Sequence, residues 1–212
     1  LNNPLSRQEF DNLPQITPNF FKYNIQLVGE QSKIISTQDK VNLTFRVPKN
    51  VVAIAQLQSE EKGERNNYTL VQKQGQKLTV SASFPEKGDY QLNIFAKPKD
   101  DNNYYPLVAS YQIVAEGKGN KFPNTYEHFR DYNGYIESPL LDNFSPNQNV
   151  YFKLKIDSAT EVKVVDSQNK WHDLTRYGNV FAGNVKVGEG KIMVYAKFPQ
   201  DSRYWALLEY GN

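Results

Sequence analysis

The chain contains two histidines and no cysteine, so imidazole chemistry is confined to His128 and His172. His172 lies between Trp171 and Asp173, and a carboxylate can orient an imidazole for general-base catalysis. Because adjacent residues of a strand point to opposite faces of the sheet, Asp173 is poorly placed for that role. We therefore predict that both histidines are structural and that the chain has no catalytic residue.

The absence of cysteine also excludes whole classes of site. Disulfides, thiolate-bound zinc, iron–sulfur clusters and a cysteine nucleophile are all impossible within these residues. Two histidines are too few for a three-histidine metal site. No Gly-x-Ser-x-Gly motif occurs, which disfavours an independent hydrolase. We expect no cofactor.

Two loops carry oxygen ligands that could bind calcium. One is Asp100-Asp101-Asn102-Asn103, and the other contains Asp201. Neither has the spacing, glycine and final glutamate of an EF-hand, whereas Asp and Asn are common turn residues. We predict solvated turns and no metal site.

Aromatic residues make up 13% of the chain and suggest a binding surface. The candidate partner-binding residues are Tyr104, Tyr105, Tyr204 and Trp205, which follow equivalent polar loops. Exposed tyrosine and tryptophan can stack on sugar rings or anchor a protein partner, because they bury a large area at little entropic cost. Packing in the core or at a sheet edge is the alternative for the same residues.

Charge and hydropathy narrow the choice of partner. The formal net charge of +2 is far from the strongly basic balance of nucleic-acid-binding proteins. The longest aliphatic run, Val51 to Ala55, is too short to span a bilayer. We expect a soluble protein without a membrane span, cytoplasmic or exported. Since Leu1 comes first and Met193 is the only methionine, we also expect a piece of a longer chain.

The elements that position these residues are predicted to be strands. Apolar residues alternate with polar ones in four early segments, and Gly, Pro, Asn and Asp clusters separate them. The alternating segments are Phe21–Leu27, Val41–Val47, Leu78–Phe84 and Tyr90–Ala96. No long helical pattern occurs, although capping-box spacing predicts short helical turns after Ser6 and after Asn124.

An internal repeat sets the domain organisation. Gly88–Lys97 matches Gly188–Lys197 class for class without a gap, and Val41–Val47 parallels Val150–Ile156. A period near 100 residues suits a β-sandwich of immunoglobulin size. The sequence therefore predicts an all-β protein of two tandem immunoglobulin-like β-sandwiches with short helical turns at the N-terminus of each. The predicted domains are residues 1–116, including an N-terminal segment, and residues 117–212.

One strand entry favours the immunoglobulin-like interpretation directly. Gly88-Asp89-Tyr90 places Tyr90 where immunoglobulin domains have the tyrosine of the tyrosine corner. The second copy has Gly190 at the matching position, so we expect the corner hydrogen bond in the first copy alone.

Several spaced motifs resemble the tandem Ig-like region of the kyphoscoliosis peptidase family, over nearly the whole chain. These motifs are Pro18-Asn19-Phe20-Phe21, residues 123–129, residues 135–140, Trp171-His172-Asp173-Leu174, residues 194–198 and Leu207-Leu208-Glu209-Tyr210. In that family such modules follow a transglutaminase-like cysteine peptidase domain with a Cys–His–Asp triad. The resemblance implies an accessory region without catalytic residues.

We therefore predict a non-catalytic accessory or interaction region of a larger transglutaminase-like protein, which binds protein or presents its own upstream domain. The alternative hypothesis is a carbohydrate-binding tandem module of a glycan-active or cell-surface protein. A peptidase-like or a glycosidase-like domain upstream of Leu1 would distinguish the two.

Overall fold

The computed structural model describes residues 12–29, 32–59, 61, 63–102 and 104–211. These residues form an all-β protein with nineteen strands and two short helices. The chain divides into two compact units, and the main division falls between Gly119 and Asn120. The helical turn expected after Ser6 lies outside the described residues.

The first unit contains two sheets that together form a sandwich. Its strands are β1 (Gln15–Ile16), β2 (Gln26–Val28), β3 (Ile34–Thr37), β4 (Lys40–Arg46), β5 (Val51–Ser59), β6 (Gly63–Glu64), β7 (Thr69–Gln74), β8 (Lys77–Ser83), β9 (Gly88–Pro98) and β10 (Leu107–Ala115). One sheet has the order β2-β4-β8-β7, and the other has the order β1-β10-β9-β5-β6, with β3 parallel to β10. These orders correspond to the A-B-E-D and C′-C-F-G sheets of immunoglobulin domains.

The core of the first unit lies between the two sheets. The alternation in β4 buries Val41, Leu43 and Phe45, as the sequence predicts. They pack with residues such as Leu78 and Leu92 of the other predicted strands. Burial of each large apolar side chain contributes about 1.5–3 kcal/mol, which is why the period of two fixes the inward face.

The second unit repeats this arrangement. Its strands are β11 (Asn124–Thr125), β12 (Tyr135–Ser138), β13 (Asn149–Lys155), β14 (Glu161–Val165), β15 (Trp171–Asp173), β16 (Thr175–Tyr177), β17 (Val180–Lys186), β18 (Ile192–Lys197) and β19 (Tyr204–Tyr210). The sheets are β12-β13-β17-β16 and β11-β19-β18-β14-β15. They match the A-B-E-D and C′-C-F-G orders of the first unit, so tandem immunoglobulin-like sandwiches are confirmed.

Each unit has one helical turn near its N-terminus, as the sequence predicts, but the details differ from the expectation. Helix α1 (Pro18–Lys22) replaces the start of the strand expected from Phe21, whose side chain is 68% exposed. Proline at the first helical turn has a preset φ and lacks an N–H that would go unpaired there. Helix α2 (Glu127–Asp131) has Tyr126 at its N-cap and no side-chain cap, so capping by Asn124 was a wrong prediction.

The two helical turns are structurally equivalent, which extends the repeat toward the N-terminus. Each turn returns through an asparagine at positive φ, Asn24 (52°) and Asn133 (48°). The Ile25 amide donates to the Phe20 carbonyl (3.0 Å), and the Gly134 amide donates to the Phe129 carbonyl (2.7 Å). The two turns lie 109 residues apart in sequence, the same separation as between Val41 and Val150. Sequence analysis missed this part of the repeat because the alternation of apolar residues from Phe21 predicted a strand in the first copy.

The expected tyrosine corner is present in the first unit. The Tyr90 hydroxyl donates to the Glu86 carbonyl at 3.0 Å, and the ring packs on Phe84 with centroids 5.2 Å apart. The second unit has Gly190 at this position, at a φ of 105° that favours glycine. The corner hydrogen bond therefore belongs to the first unit alone.

Candidate binding surface

The outer face of the C′-C-F-G sheet in the second unit carries a group of three aromatic side chains, which we call the aromatic face: Trp171, Tyr195 and Tyr204. The Trp171 ring stacks on Tyr195 with centroids 5.2 Å apart and an interplanar angle of 26°. It meets Tyr204 edge-on at 5.3 Å and 63°. Trp171 remains 47% exposed. The aromatic face therefore offers a large ring already held in place by two neighbours.

Strand register explains why these residues meet. In β18 the buried Val194 and Ala196 face the core, so Tyr195 between them faces outward. Lys163 of β14 pairs with Tyr195 on one side and with Asp173 of β15 on the other. Contact between Trp171, Tyr195 and Tyr204 therefore requires three strands, and β15 precedes the consecutive strands β18 and β19 by two further strands.

Paired charges surround the aromatic face. The Lys163 Nζ lies 2.8 Å from an Asp173 carboxylate oxygen, and the Lys197 Nζ lies 3.6 Å from Glu161. The Tyr204 hydroxyl donates to the Glu161 carboxylate at 2.5 Å. That hydrogen bond, together with the two lysines, lowers the pKa of Glu161. Burial and the same carboxylate raise the pKa of Tyr204. The lysines and carboxylates balance, so this surface attracts neither sign of charge.

Of the four predicted candidates, Tyr204 belongs to the aromatic face and Trp205 does not. Trp205 stacks on His128 with centroids 4.3 Å apart and an angle of 13°. His128 in turn stacks on Tyr132, which stacks on Phe198 at 3.8 Å. This column of rings is a packing cluster that includes His128 of α2.

Asp201 is bound by protein groups next to this cluster. The Arg203 guanidinium donates to its carboxylate, with Nη2 at 2.9 Å from Oδ2, and the Trp205 indole donates at 3.2 Å. Arg203 and then Trp205 lower the pKa of Asp201 to about 2. Within the described part of the chain, no group of three His, Cys, Asp or Glu side chains could hold a metal ion.

Tyr104 and Tyr105 lie in the first unit, on the connection between β9 and β10. Tyr104 is 96% exposed, the highest value among the exposed large apolar and aromatic residues of the described segments. Tyr105 packs under Lys97, whose Nζ lies 4.7 Å from the ring centroid. The same Nζ donates to the Asp101 carbonyl at 2.7 Å. Lys97 therefore fixes the loop around Tyr105, while Tyr104 projects from it.

His172 has a carboxylate partner that sequence reasoning missed. Its Nε2 lies 2.8 Å from an oxygen of Asp166, which is 7% exposed. The other Asp166 oxygen accepts from the backbone amides of Gln168 and Lys170. Burial raises the pKa of Asp166, but the hydrogen bonds from His172 and the two amides outweigh it, so the pKa is lowered. The pair closes the β14–β15 hairpin, and Asp173 pairs with Lys163 instead.

The Asp-Ser-Gln-Asn turn before Trp171 was the one sequence signal for the Asp166–His172 pair, since an Asp side chain often accepts a hydrogen bond from the backbone amide two residues later.

No helix of the described segments has the length and apolar character needed to cross a membrane.

The chain resembles known proteins at the level of its family. A model described as the KY-like, immunoglobulin-like domain matches residues 7–126. Kyphoscoliosis peptidase from mouse is 24% identical over 166 residues, and that from human is 27% identical over 168 residues. Each match covers 74% of this chain and 25% of the relative. The chain thus spans about a quarter of the length of the curated relatives it matches.

Matches to solved structures are weaker. A crystal structure of a neural ectodermal development factor has 7% identity and a TM-score of 0.29, covering 88% of this chain and 92% of that chain. A pair of titin domains in complex with telethonin has 9% identity and a TM-score of 0.25, covering 88% and 95%. Scores this low carry no conclusion. The family match, which spans more than half of the residues, does carry one: the chain belongs to the KY-like, immunoglobulin-like domain family.

Proposed function

We propose that this chain is a non-catalytic accessory region of a larger, transglutaminase-like protein and that it binds a protein partner through the aromatic face. Its family and the quarter-length coverage of kyphoscoliosis peptidases support the first part of the proposal. The arrangement of Trp171 against Tyr195 and Tyr204 is the observation that carries the second.

The aromatic face has the composition of a binding hot spot. Tryptophan and tyrosine are enriched among the residues that dominate binding energy at protein interfaces. Stacking on Tyr195 already restricts the Trp171 ring, so a partner loses little additional side-chain entropy on binding it. The surrounding lysines are already paired with Glu161 and Asp173, which leaves a rim without excess charge.

Ring geometry favours a protein partner over a sugar. Stacking on a sugar chain is best served by rings that share a plane, whereas Trp171 and Tyr204 meet at 63°. One face of Trp171 is also occupied by Tyr195. Tyr104 of the first unit is proposed as a separate protein contact because nearly all of its surface is exposed.

The test is a binding titration between this chain and the separately expressed remainder of its parent protein. We expect Trp171→Ala to weaken binding at least about tenfold, as truncation of a hot-spot residue does. Tyr177→Ala is the matched control, because Tyr177 is 66% exposed but belongs to β16 in the opposite sheet. Equal effects of the two substitutions would contradict the proposal. Binding to a glycan array that depends on Trp171 would replace it with the carbohydrate hypothesis.

A second measurement addresses the non-catalytic part. The purified chain is expected neither to cleave peptides nor to cross-link glutamine to lysine, because it has no cysteine. Turnover that persists after His128→Ala and His172→Ala would show that a different site had been overlooked, and its loss would locate the activity at a histidine.

The proposed domains remain residues 1–116 and 117–212, joined by the short connection from Glu116 to Lys121. Limited proteolysis is expected to cut there first if this stretch is the linker. Early cuts inside either sandwich would contradict these bounds.

A further inference from the structure

Two strand segments of the first unit lack a counterpart among the described residues of the second. In the first unit, residues 112–115 at the end of β10 run between β3 and the start of β9, and the backbone pairs on both sides. The repeat places residues 143–146 where β3 lies and residues 188–191 where β9 begins. Neither stretch belongs to a strand, because β13 begins at Asn149 and β18 begins at Ile192. The two copies therefore differ at this end of the sheet.

An open cavity lies between these two stretches in the second unit. Its lining includes Asn143, Phe144 and Pro146 on one side and Gly188 and Gly190 on the other. Among the residues that the structure describes, the backbone amides of Phe144, Gly188 and Gly190 donate to no other group. In the first unit a strand pairs with both of the equivalent stretches. We call this cavity the strand slot, because it lies where that strand runs.

The last strand of the second unit turns away from the strand slot. The register of the two copies makes Gly211 the counterpart of Gln112. The φ of Gly211 is 89°, which lies outside the β region, and a Cβ there would lie 2.5 Å from the Gly190 carbonyl oxygen. The Gly211 amide donates to the Asp142 Oδ1 at 2.7 Å. The Gln112 amide instead donates to the Lys33 carbonyl at 2.9 Å and stays in the ladder. The backbone of Gly211 therefore leaves the direction that a strand in the slot would follow.

The strand slot has an apolar floor and acidic groups in its lining. Phe144 packs on Tyr210 with ring centroids 5.2 Å apart, and Ile192 beside them is 1% exposed. Asp142 and Glu189 are the charged residues among the described lining residues, and Glu189 is exposed. A segment that turns apolar side chains toward the floor and carries a basic residue beside Glu189 therefore complements the slot.

We propose that the strand slot binds an extended segment of a partner protein, which runs parallel to residues 143–146 and antiparallel to residues 188–191. This is the direction of β10 between β3 and β9 in the first unit. Strand addition of this kind takes its affinity from main-chain hydrogen bonds and its specificity from alternate side chains. The segment carries apolar residues at every second position and a lysine or arginine next to Glu189. A second protein supplies it because Gly211 directs β19 elsewhere. This inference is independent of the proposed partner of the aromatic face.

The test is an NMR titration of the 212-residue chain with the peptide Lys-Gln-Ile-Val-Ala-Lys. Its four central residues are residues 112–115, which fill the equivalent position in the first unit. We expect saturable binding with a Kd of about 0.1–1 mM, since a short flexible peptide loses much of its freedom on binding. The amide signals of residues 143–146 and 188–191 are expected to shift, and those of residues 34–37 and 88–91 to stay in place. A peptide with proline for isoleucine and alanine is expected not to bind, because proline lacks the amide donor and the φ of a strand.

Glu189→Lys is expected to raise the Kd about three- to tenfold, because the introduced lysine repels the basic ends of the peptide. Glu127→Lys is the matched control with the same change of charge. Glu127 is exposed in α2, whose His128 stacks on Trp205 near the start of β19, whereas the slot lies at the end of that strand. The Kd of this control is expected to equal that of the unsubstituted chain.

The absence of saturable shifts up to about 5 mM peptide, well above the expected Kd, would overturn the proposal. Shifts confined to the first unit or to the aromatic face would overturn it too. Equal binding of the proline peptide would show that no strand forms, and equal effects of Glu189→Lys and Glu127→Lys would show that the peptide does not lie beside Glu189.

Discussion

The tyrosine corner of the first domain allows one hydroxyl group to be removed without disturbing the packing around it. Tyr90 is 4% exposed, its hydroxyl donates to the Glu86 carbonyl at 3.0 Å, and its ring lies against Phe84. Tyr90→Phe keeps the ring and deletes the donor. We expect the first domain to lose stability because the corner at the start of β9 loses its side-chain tether to the preceding turn.

The size of the effect follows from this geometry. Loss of a neutral intramolecular hydrogen bond costs about 0.5–1.5 kcal/mol. In a domain of about 100 residues, 1 kcal/mol lowers Tm by roughly 4–8 °C, so we expect a fall of about 2–12 °C. Tyr90→Ala also leaves a cavity, and its expected cost is about 3–5 kcal/mol.

The two domains can be followed separately in one thermal unfolding experiment. Both tryptophans, Trp171 and Trp205, lie in the second unit, so their fluorescence reports that unit. Calorimetry or far-ultraviolet circular dichroism reports both domains. Tyr104→Phe is the control, because that hydroxyl belongs to a side chain that is 96% exposed in the same domain.

We expect Tyr90→Phe to lower the unfolding temperature of the first domain and Tyr104→Phe to leave it unchanged. The unfolding temperature reported by tryptophan fluorescence should be the same in both variants. If Tyr90→Phe and Tyr104→Phe unfold at the same temperature, the corner hydrogen bond contributes nothing and the reasoning is refuted.

Two further predictions concern the second domain, and both are read by tryptophan fluorescence. The lowered pKa of Asp166 means that its interaction with His172 and two amides stabilises the fold above the unfolded pKa of about 3.9 and is lost as pH falls through the folded value. Asp166→Asn should therefore cost about 1–3 kcal/mol at pH 7 and progressively less in acid, and a pH-independent difference would contradict this. Gly134→Ala would place a Cβ 2.3 Å from the Phe129 Cδ2 and 2.6 Å from its carbonyl oxygen, so we expect a loss of about 1–3 kcal/mol in denaturant titrations. An unchanged midpoint would show that the turn after α2 adjusts without cost.

The sequence by itself determined the parts of this protein that depend on local alternation. Burial on one side of β4 and β9 requires every second residue to be apolar, and this pattern is visible without the structure. The internal repeat follows for the same reason, since two copies of one sandwich need the same spacing of inward residues. Tyr90 was predictable because the tyrosine corner is set within one strand entry.

Tertiary structure decided whatever depends on residues distant in sequence. The alternation from Phe21 predicted a strand, but a hydrogen bond from Thr17 Oγ1 to the Leu107 carbonyl, ninety residues away, ties the start of α1 to β10. Sequence analysis treated Tyr204 and Trp205 as equivalent candidates for partner binding. Their side chains lie on opposite faces of the sheet, because adjacent residues of one strand point to opposite sides. The aromatic face arises from the register of β15, β18 and β19. Register is fixed by how whole sheets pair over a shared core, and no local stretch of sequence contains that information.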